Sequence, residues 1–174
     1  MKVIFFAAIS LVASASFAVE SNVDKYLSLL QENQAIETTV QHSNLRTFKG
    51  IVAVDINTGK QISNSSCKLE IVGNRLVLSL TSSKGASAIS VDTVETSSVD
   101  QSDMSGLVSS ESSLNSDTEV TKTIGVVKRN DGKLGVLASV EYTYKSSIQN
   151  SDQVNQRIAA EIAKQNFDIG CELK

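Results

Sequence analysis

The chain has 174 residues, 20% of them charged, with a formal net charge of −3 at pH 7. Nucleic-acid binding depends on clustered lysine and arginine, so this mild acidity without a basic cluster argues against a nucleic-acid partner. Aromatic residues make up 5% of the chain and tryptophan is absent, which disfavours stacking platforms for sugars or bases.

The N-terminal residues have the pattern of an export signal. A basic residue precedes an apolar run over 3–12, and small residues follow, with Ser16 and Ala18 at the positions that a signal peptidase recognises. The apolar run is shorter than the roughly 20 residues of a membrane-spanning helix. We therefore expect a cleaved signal peptide over 1–18 and one domain over 19–174, without an integral membrane segment, in the bacterial periplasm or outside the cell.

Hydrophobic spacing predicts two helices and a series of strands. In chain order, these are a helix over about 22–33, strands over about 47–57, 61–72, 76–80, 89–95, 120–126 and 136–144, a helix over about 151–165, and a short strand over about 167–171. Turn signals at Gly59, Gly73 and Gly132 separate consecutive strands. A change of phase within the second strand predicts a bulge near 64–66.

The predicted fold class is α+β, mainly antiparallel β. About seven strands form a meander, as an open sheet or a small barrel, with an N-terminal and a C-terminal helix. Cys67 and Cys171 are the only cysteines. In an oxidising compartment such a pair is expected to form one structural disulfide, and the C-x-x-C spacing of a redox-active pair is missing.

Residues 96–117 interrupt the strand pattern, because serine and acidic residues crowd the segment and apolar residues are few. Such a composition buries too little surface to offset the entropy of ordering, so we predict a solvated, flexible loop. The alternative is a recognition loop that presents a small apolar face to a partner. That face would consist of Met104, Leu107, Val108 and Leu114.

The sequence offers few candidates for catalysis. His42 is the only histidine, which excludes a cluster of histidine metal ligands. Ser65 and Lys68 have the S-x-x-K spacing, but they fall in a predicted strand, where positions three apart point to opposite faces. We therefore predict no catalytic residue.

The acidic residues around 96–117 could serve as paired catalytic carboxylates or as calcium ligands. A flexible segment cannot hold two carboxylates at a fixed separation, and the D-x-[DN]-x-[DN]-G pattern of a calcium loop is not met. The residues concerned are Asp100, Asp103, Glu111, Asp117 and Glu119. We predict no metal site and no cofactor.

These observations favour an exported, non-enzymatic binding or interaction protein of the cell envelope or medium, with a protein partner. One alternative is a lipocalin-like carrier, in which the inner faces of the strands enclose a small apolar ligand. A second alternative is a hydrolase.

Overall fold

A computed structural model describes residues 20–31, 45–145 and 152–173, without the side chains of 45, 46, 48–52 and 152. The predicted signal peptide therefore lies outside the described residues. Helix α1 spans Asn22–Gln31 and helix α2 spans Asp152–Ala163. The strands are β1 Leu45–Asp55, β2 Lys60–Gln61, β3 Ser66–Val72, β4 Arg75–Ser82, β5 Gly85–Asp92, β6 Thr96–Asp100, β7 Met104–Asn115, β8 Thr118–Arg129, β9 Leu134–Tyr144 and β10 Phe167–Leu173.

The strands of the described residues form one antiparallel sheet. Its order is β5, β4, β3, β1, β10, β9, β8, β7 and β6, with the short β2 also paired to β1. No ladder joins β5 to β6, so the sheet is not closed. The expectation of a mainly antiparallel β protein with two helices is confirmed, with ten strands in place of about seven. Neither described helix has the length and apolar character needed to cross a membrane.

The sheet has an inner face that forms the hydrophobic core and an outer face. Alternation places Leu69 of β3 and Leu78 of β4 opposite each other on the inner face, where both are buried. Helix α1 packs against this face with Tyr26 and Leu30, which are fully buried. Because α1 has one apolar stripe, burial against the sheet accounts for its position.

Side chains, not a ladder, connect the two ends of the sheet. The Glu111 carboxylate on β7 accepts a bond of 2.9 Å from the Arg75 guanidinium on β4 and one of 3.1 Å from the Asp92 backbone N–H at the end of β5. In α1, the Asn22 side-chain amide donates to the Thr93 carbonyl at 2.7 Å. Glu111 and α1 therefore bridge the seam between the two halves of the sheet.

The predicted disulfide between Cys67 and Cys171 is confirmed. Cys67 lies on β3 and Cys171 on β10, and β1 runs between these two strands. Strands that flank a third in a flat sheet are about 9.5 Å apart, whereas the two Cα atoms are 6.4 Å apart. The sheet therefore bends at β1, where the register with β10 shifts between Gly50 and Val52.

The structure differs from the loop that the sequence predicts over 96–117, because β6 and β7 occupy most of that segment. Strand β8 supplies a complete backbone ladder to β7. Polar side chains also pair across these strands, Ser110 with Thr123 at 3.0 Å and Ser112 with Thr121 at 2.9 Å. Cross-strand hydroxyl pairs stabilise a sheet without apolar side chains, which is why hydrophobic spacing misses these strands.

The bulge predicted near 64–66 is a break between two strands. Strand β2 ends at Gln61 and β3 begins at Ser66. Between them, Asn64 has a positive φ of 48°, and the Ser65 hydroxyl donates to the Ile62 carbonyl at 2.6 Å. The chain turns here, so the two halves of the predicted strand have different phases.

Candidate functional site

Aliphatic residues and glycines alternate on the outer face of β7, β8, β9, β10 and β1. Because paired residues of neighbouring strands share a face, the ladders define rows across the sheet. The first row reads Val108, Gly125, Leu137, Gly170 and Val54. The second row reads Gly106, Val127, Gly135 and Glu172. The aliphatic and glycine members of these rows from Val108 to Val54, together with Ile56, are called the outer patch.

A ridge of two apolar side chains crosses the outer patch. A Cβ atom added at Gly170 would lie 3.6 Å from Ile56 Cγ1 and 3.8 Å from Leu137 Cδ2. The two side chains thus approach each other over a position that has no side chain of its own. Ile56 is 45% exposed and Leu137 is 37% exposed. Exposed apolar side chains that adjoin, unlike isolated ones, make this surface a candidate binding site.

A hollow lies on each side of this ridge, and Leu137 contributes to both. The first has a volume of about 230 Å³, and Gly135 and Gly170 are among its lining residues with Val54 and Val127. The second has a volume of about 280 Å³ and is lined by Ile56, Val108, Thr123, Gly125, Leu137, Ala138, Ser139 and Asp168. The glycines allow neighbouring side chains to lie close to the sheet beside the hollows, since a Cβ atom added at Gly125 would lie 3.0 Å from Val108 Cγ2.

The charges around the outer patch differ between its two ends. At the β8–β9 turn, Lys133 pairs with Glu172 at 2.9 Å and Arg129 pairs with Asp131 at 3.1 Å, and both basic side chains are more than half exposed. At the opposite end, Asp168 lines the second hollow. Within the described part of the chain, the Asp168 carboxylate makes no ion pair.

A chain of buried hydroxyl groups anchors α1 on the inner face. The Tyr26 hydroxyl lies 2.8 Å from Ser109 Oγ, which lies 2.7 Å from Thr96 Oγ1, and Thr96 donates to the Thr93 carbonyl at 2.7 Å. Since the Thr96 proton goes to that carbonyl, Ser109 donates to Thr96 and Tyr26 donates to Ser109. Burial raises the pKa of Tyr26, and hydrogen bonding with the Ser109 and Thr96 side chains opposes that rise. Tyr26 and Ser109 are both 0% exposed, so the network holds α1 against β7.

The four apolar residues of the predicted recognition loop do not form one face. Met104, Val108 and Leu114 alternate on the outer side of β7, whereas Leu107 points inward and packs against the core. Leu114 is 67% exposed and lies near the far end of the strand. Of the four, only Val108 belongs to the outer patch.

The other candidate residues have these positions. His42 lies outside the described residues. Ser65 donates to Ile62, and Lys68 pairs with Glu70 at 2.9 Å. Over 20–31, 45–145 and 152–173, histidine, cysteine, aspartate and glutamate form no group of three that could hold a metal ion.

The outer patch has one signal in the sequence, which the alternation of single strands does not identify as a site. In β8 and β9, apolar residues and glycines occupy both alternating phases, so Val127 and Leu137 stand among inward-facing neighbours. A strand that is apolar in both phases indicates a second covered or binding face. Leu137 comes next to Ile56 and Gly170 only through the register of strands that are distant in the chain, so no local sequence signal predicts this contact.

The chain matches no protein-family model, and no curated protein or solved structure is significantly similar to it. The surface chemistry of the outer patch is therefore the basis for a functional assignment.

Proposed function

We propose that the protein is an exported, non-enzymatic binding protein that engages a protein partner through the outer patch. The observation that carries this proposal is the ridge of Leu137 and Ile56 between two glycine-lined hollows. Complete burial of a leucine or isoleucine side chain contributes about 1.5–3 kcal/mol. Two such side chains at the centre of a surface supply the apolar core that protein–protein interfaces have.

Two independent observations support export. The pattern over 1–18 is that of a cleaved signal peptide. The Cys67–Cys171 disulfide is a bond that persists in oxidising compartments and is rare in the cytosol. Together they favour a place in the envelope or the medium, where the outer patch meets other exported proteins.

The carrier alternative has weaker support than the protein partner. The hollow beside Gly135 has a volume of about 230 Å³, whereas sites for small molecules measure roughly 300–1,000 Å³. On the inner face, the fully buried Tyr26 and Leu30 of α1 fill space that a carrier would keep for its ligand. A ridge with shallow hollows beside it suits a matching protein surface better.

Photo-cross-linking in the producing cells tests this function. A photoreactive amino acid is placed at Leu137, and a matched control carries it at Leu114, which is apolar, outward-facing and more exposed. We expect covalent adducts with one identifiable protein at position 137 and none at position 114. Equal labelling at both positions, or none at either, would contradict the proposal.

A further inference from the structure

We propose that the partner of the outer patch presents an arginine side chain, which binds in the second hollow against Asp168. This inference rests on the proposed function and names the chemistry that the partner brings to the patch. Its basis is the kind of groups that surround the hollow. Aliphatic side chains, two hydroxyls and one carboxylate line it, among them those of Ile56, Leu137, Thr123, Ser139 and Asp168.

A row of polar side chains crosses the outer face beside the ridge. Asp168 on β10 is the ladder partner of Ser139 on β9, which is the ladder partner of Thr123 on β8. Directly paired side chains on one face have Cβ atoms about 4.5–5.5 Å apart, so the carboxylate lies next to the Ser139 hydroxyl. Leu137 lies two positions from Ser139 on the same face of β9. The hollow therefore combines hydrogen-bond acceptors with an apolar wall.

The acceptors of this row are available to a ligand. Within the described residues, the Asp168 carboxylate makes no ion pair and Ser139 Oγ makes no hydrogen bond. The first hollow differs, because its two charged lining residues, Arg129 and Glu172, each have an ion-pair partner. The second hollow thus presents an uncompensated negative charge, to which a cationic side chain is complementary.

The backbone holds Asp168 in a fixed place. Its carbonyl accepts a bond of 3.2 Å from the Ile56 N–H, and its pairing with Ser139 belongs to an unbroken register between β9 and β10. Side chains on the strands of a sheet are positioned more precisely than side chains on loops. The carboxylate and the aliphatic wall therefore keep their spacing before a partner arrives.

An arginine side chain matches these groups better than a lysine does. Its planar guanidinium has five N–H donors, so two can bind the carboxylate while another reaches the Ser139 hydroxyl. Its aliphatic stem packs along apolar side chains such as Leu137 and Ile56. Its seven non-hydrogen atoms need on the order of 200 Å³ if each takes about the volume of a water molecule. The hollow has about 280 Å³.

The charges around the hollow also favour a basic partner. Glu141 lies two positions beyond Ser139 on the same face of β9, where it is exposed. Over 20–31, 45–145 and 152–173, Glu141 has no ion pair. The whole chain has a formal net charge of −3 at pH 7. Such a distribution of charge attracts a basic surface and raises its rate of association.

A nuclear magnetic resonance titration of the ¹⁵N-labelled protein tests the hollow. The probes are two acetylated and amidated tripeptides, Leu-Arg-Leu and Leu-citrulline-Leu, which have nearly the same shape and differ in charge. We expect the arginine peptide to shift the amide signals of Ser139 and Asp168 with a dissociation constant below about 10 mM. The citrulline peptide should bind at least about tenfold more weakly, because the charged hydrogen bond is lost. Equal binding of the two peptides, or binding of neither, would overturn the proposal.

Two variants that each remove one negative charge locate the contact. Asp168→Asn keeps the shape of the side chain, and we expect it to reduce the affinity for the arginine peptide at least about tenfold. Asp100→Asn, on β6 and outside the hollow, changes the net charge equally and should match the wild type. The spectrum of each variant verifies that it folds. An equal loss of affinity in both variants would overturn the proposal, since net charge alone would then attract the peptide.

Photo-cross-linking from position 137 in the producing cells separates this inference from the proposed function. The yield of the protein adduct should fall when Asp168→Asn is added and stay the same when Asp100→Asn is added. An adduct that Asp168→Asn leaves unchanged overturns the arginine and leaves the binding function in place. Absence of any adduct without these substitutions contradicts the binding function, and the peptide titration then decides the chemistry of the hollow.

Discussion

Cys67 and Cys171 are joined across an intervening strand, with their Cα atoms 6.4 Å apart. The bond draws β3 and β10 together over β1 and fixes the bend that brings the two halves of the sheet around α1. Strand β10 carries Cys171 on its inner face and Gly170 and Glu172 on its outer face. The disulfide therefore also fixes the position of the strand that contributes Gly170 to the outer patch.

Removal of this disulfide should destabilise the fold strongly. The bond closes a sequence separation of 104 residues, for which the chain-entropy model gives about 4.7 kcal/mol, and removal of native disulfides costs about 2–5 kcal/mol. We expect the variant Cys67→Ala/Cys171→Ala to lose stability in that range in urea unfolding. Reduced wild-type protein is the control and should behave like the variant. A loss below about 1 kcal/mol would mean that the bond does not maintain the bend.

Ser109 should contribute more to the free energy of unfolding than a serine at the protein surface does. It is 0% exposed and links the hydroxyls of Tyr26 and Thr96. Ser109→Ala leaves those two groups without their shared partner, so we expect a loss of about 1–3 kcal/mol in the free energy of unfolding. Ser112→Ala, on the same strand at an exposed pair with Thr121, should change it by about 0.5 kcal/mol or less. Equal effects in chemical denaturation would contradict the role of the buried network.

Stability should fall at high pH, and Tyr26 should account for part of the fall. Its pKa in the folded protein is above the ordinary value near 10, because burial disfavours the phenolate. Protonated Tyr26 therefore makes its full contribution to stability below about pH 10. The contribution is lost as the pH rises towards the pKa of the folded state, since the tyrosine of the unfolded chain releases its proton first.

Unfolding free energies measured between about pH 9 and pH 11 test this dependence. In Tyr26→Phe the slope above pH 10 should be shallower than in the wild type, although the variant is less stable at neutral pH because the bond to Ser109 is lost. Tyr144→Phe, a tyrosine on β9, is the matched comparison. If both variants keep the wild-type slope, Tyr26 is not the group responsible.

Glu111 should slow local opening between β5 and β7 more than it raises the free energy of unfolding of the whole protein. Its bond to the Asp92 N–H is 3.1 Å and its ion pair with Arg75 is half-exposed, so we expect Glu111→Ala to cost about 1 kcal/mol or less globally. Hydrogen exchange at the Asp92 amide should nevertheless accelerate by about tenfold. Glu119→Ala, which removes a comparably exposed partner of Lys145, should leave that amide unchanged. Unchanged exchange of the Asp92 amide in both variants would contradict the proposed role of Glu111 in connecting the two ends of the sheet.

The parts of the fold that follow from local signals could be predicted from the sequence. Gly59, Gly73 and Gly132 all have positive φ at the predicted turns, because glycine adopts that conformation without steric cost. Strands with one apolar face, such as β4, and both helices are also local patterns. The pairing of the two cysteines follows because no other thiol competes.

The missing parts depend on residues far apart in the chain. Strand β7 is rich in serine, and its stability comes from the ladder with β8 and not from its own apolar residues. The neighbours β1 and β10 come from opposite ends of the domain, and no local pattern pairs them. Leu137 meets Ile56 only because that pairing places Gly170 between their strands, so the outer patch is a property of register and not of any one segment.

Non-reducing native mass spectrometry of the protein, gently purified from its own envelope or medium, tests whether a protein partner binds the outer patch. We expect a chain that begins at Val19, with the mass of one closed disulfide and a second protein chain bound. A bare monomer at high concentration, or a monomer that carries only a small molecule, would contradict a protein partner at the outer patch.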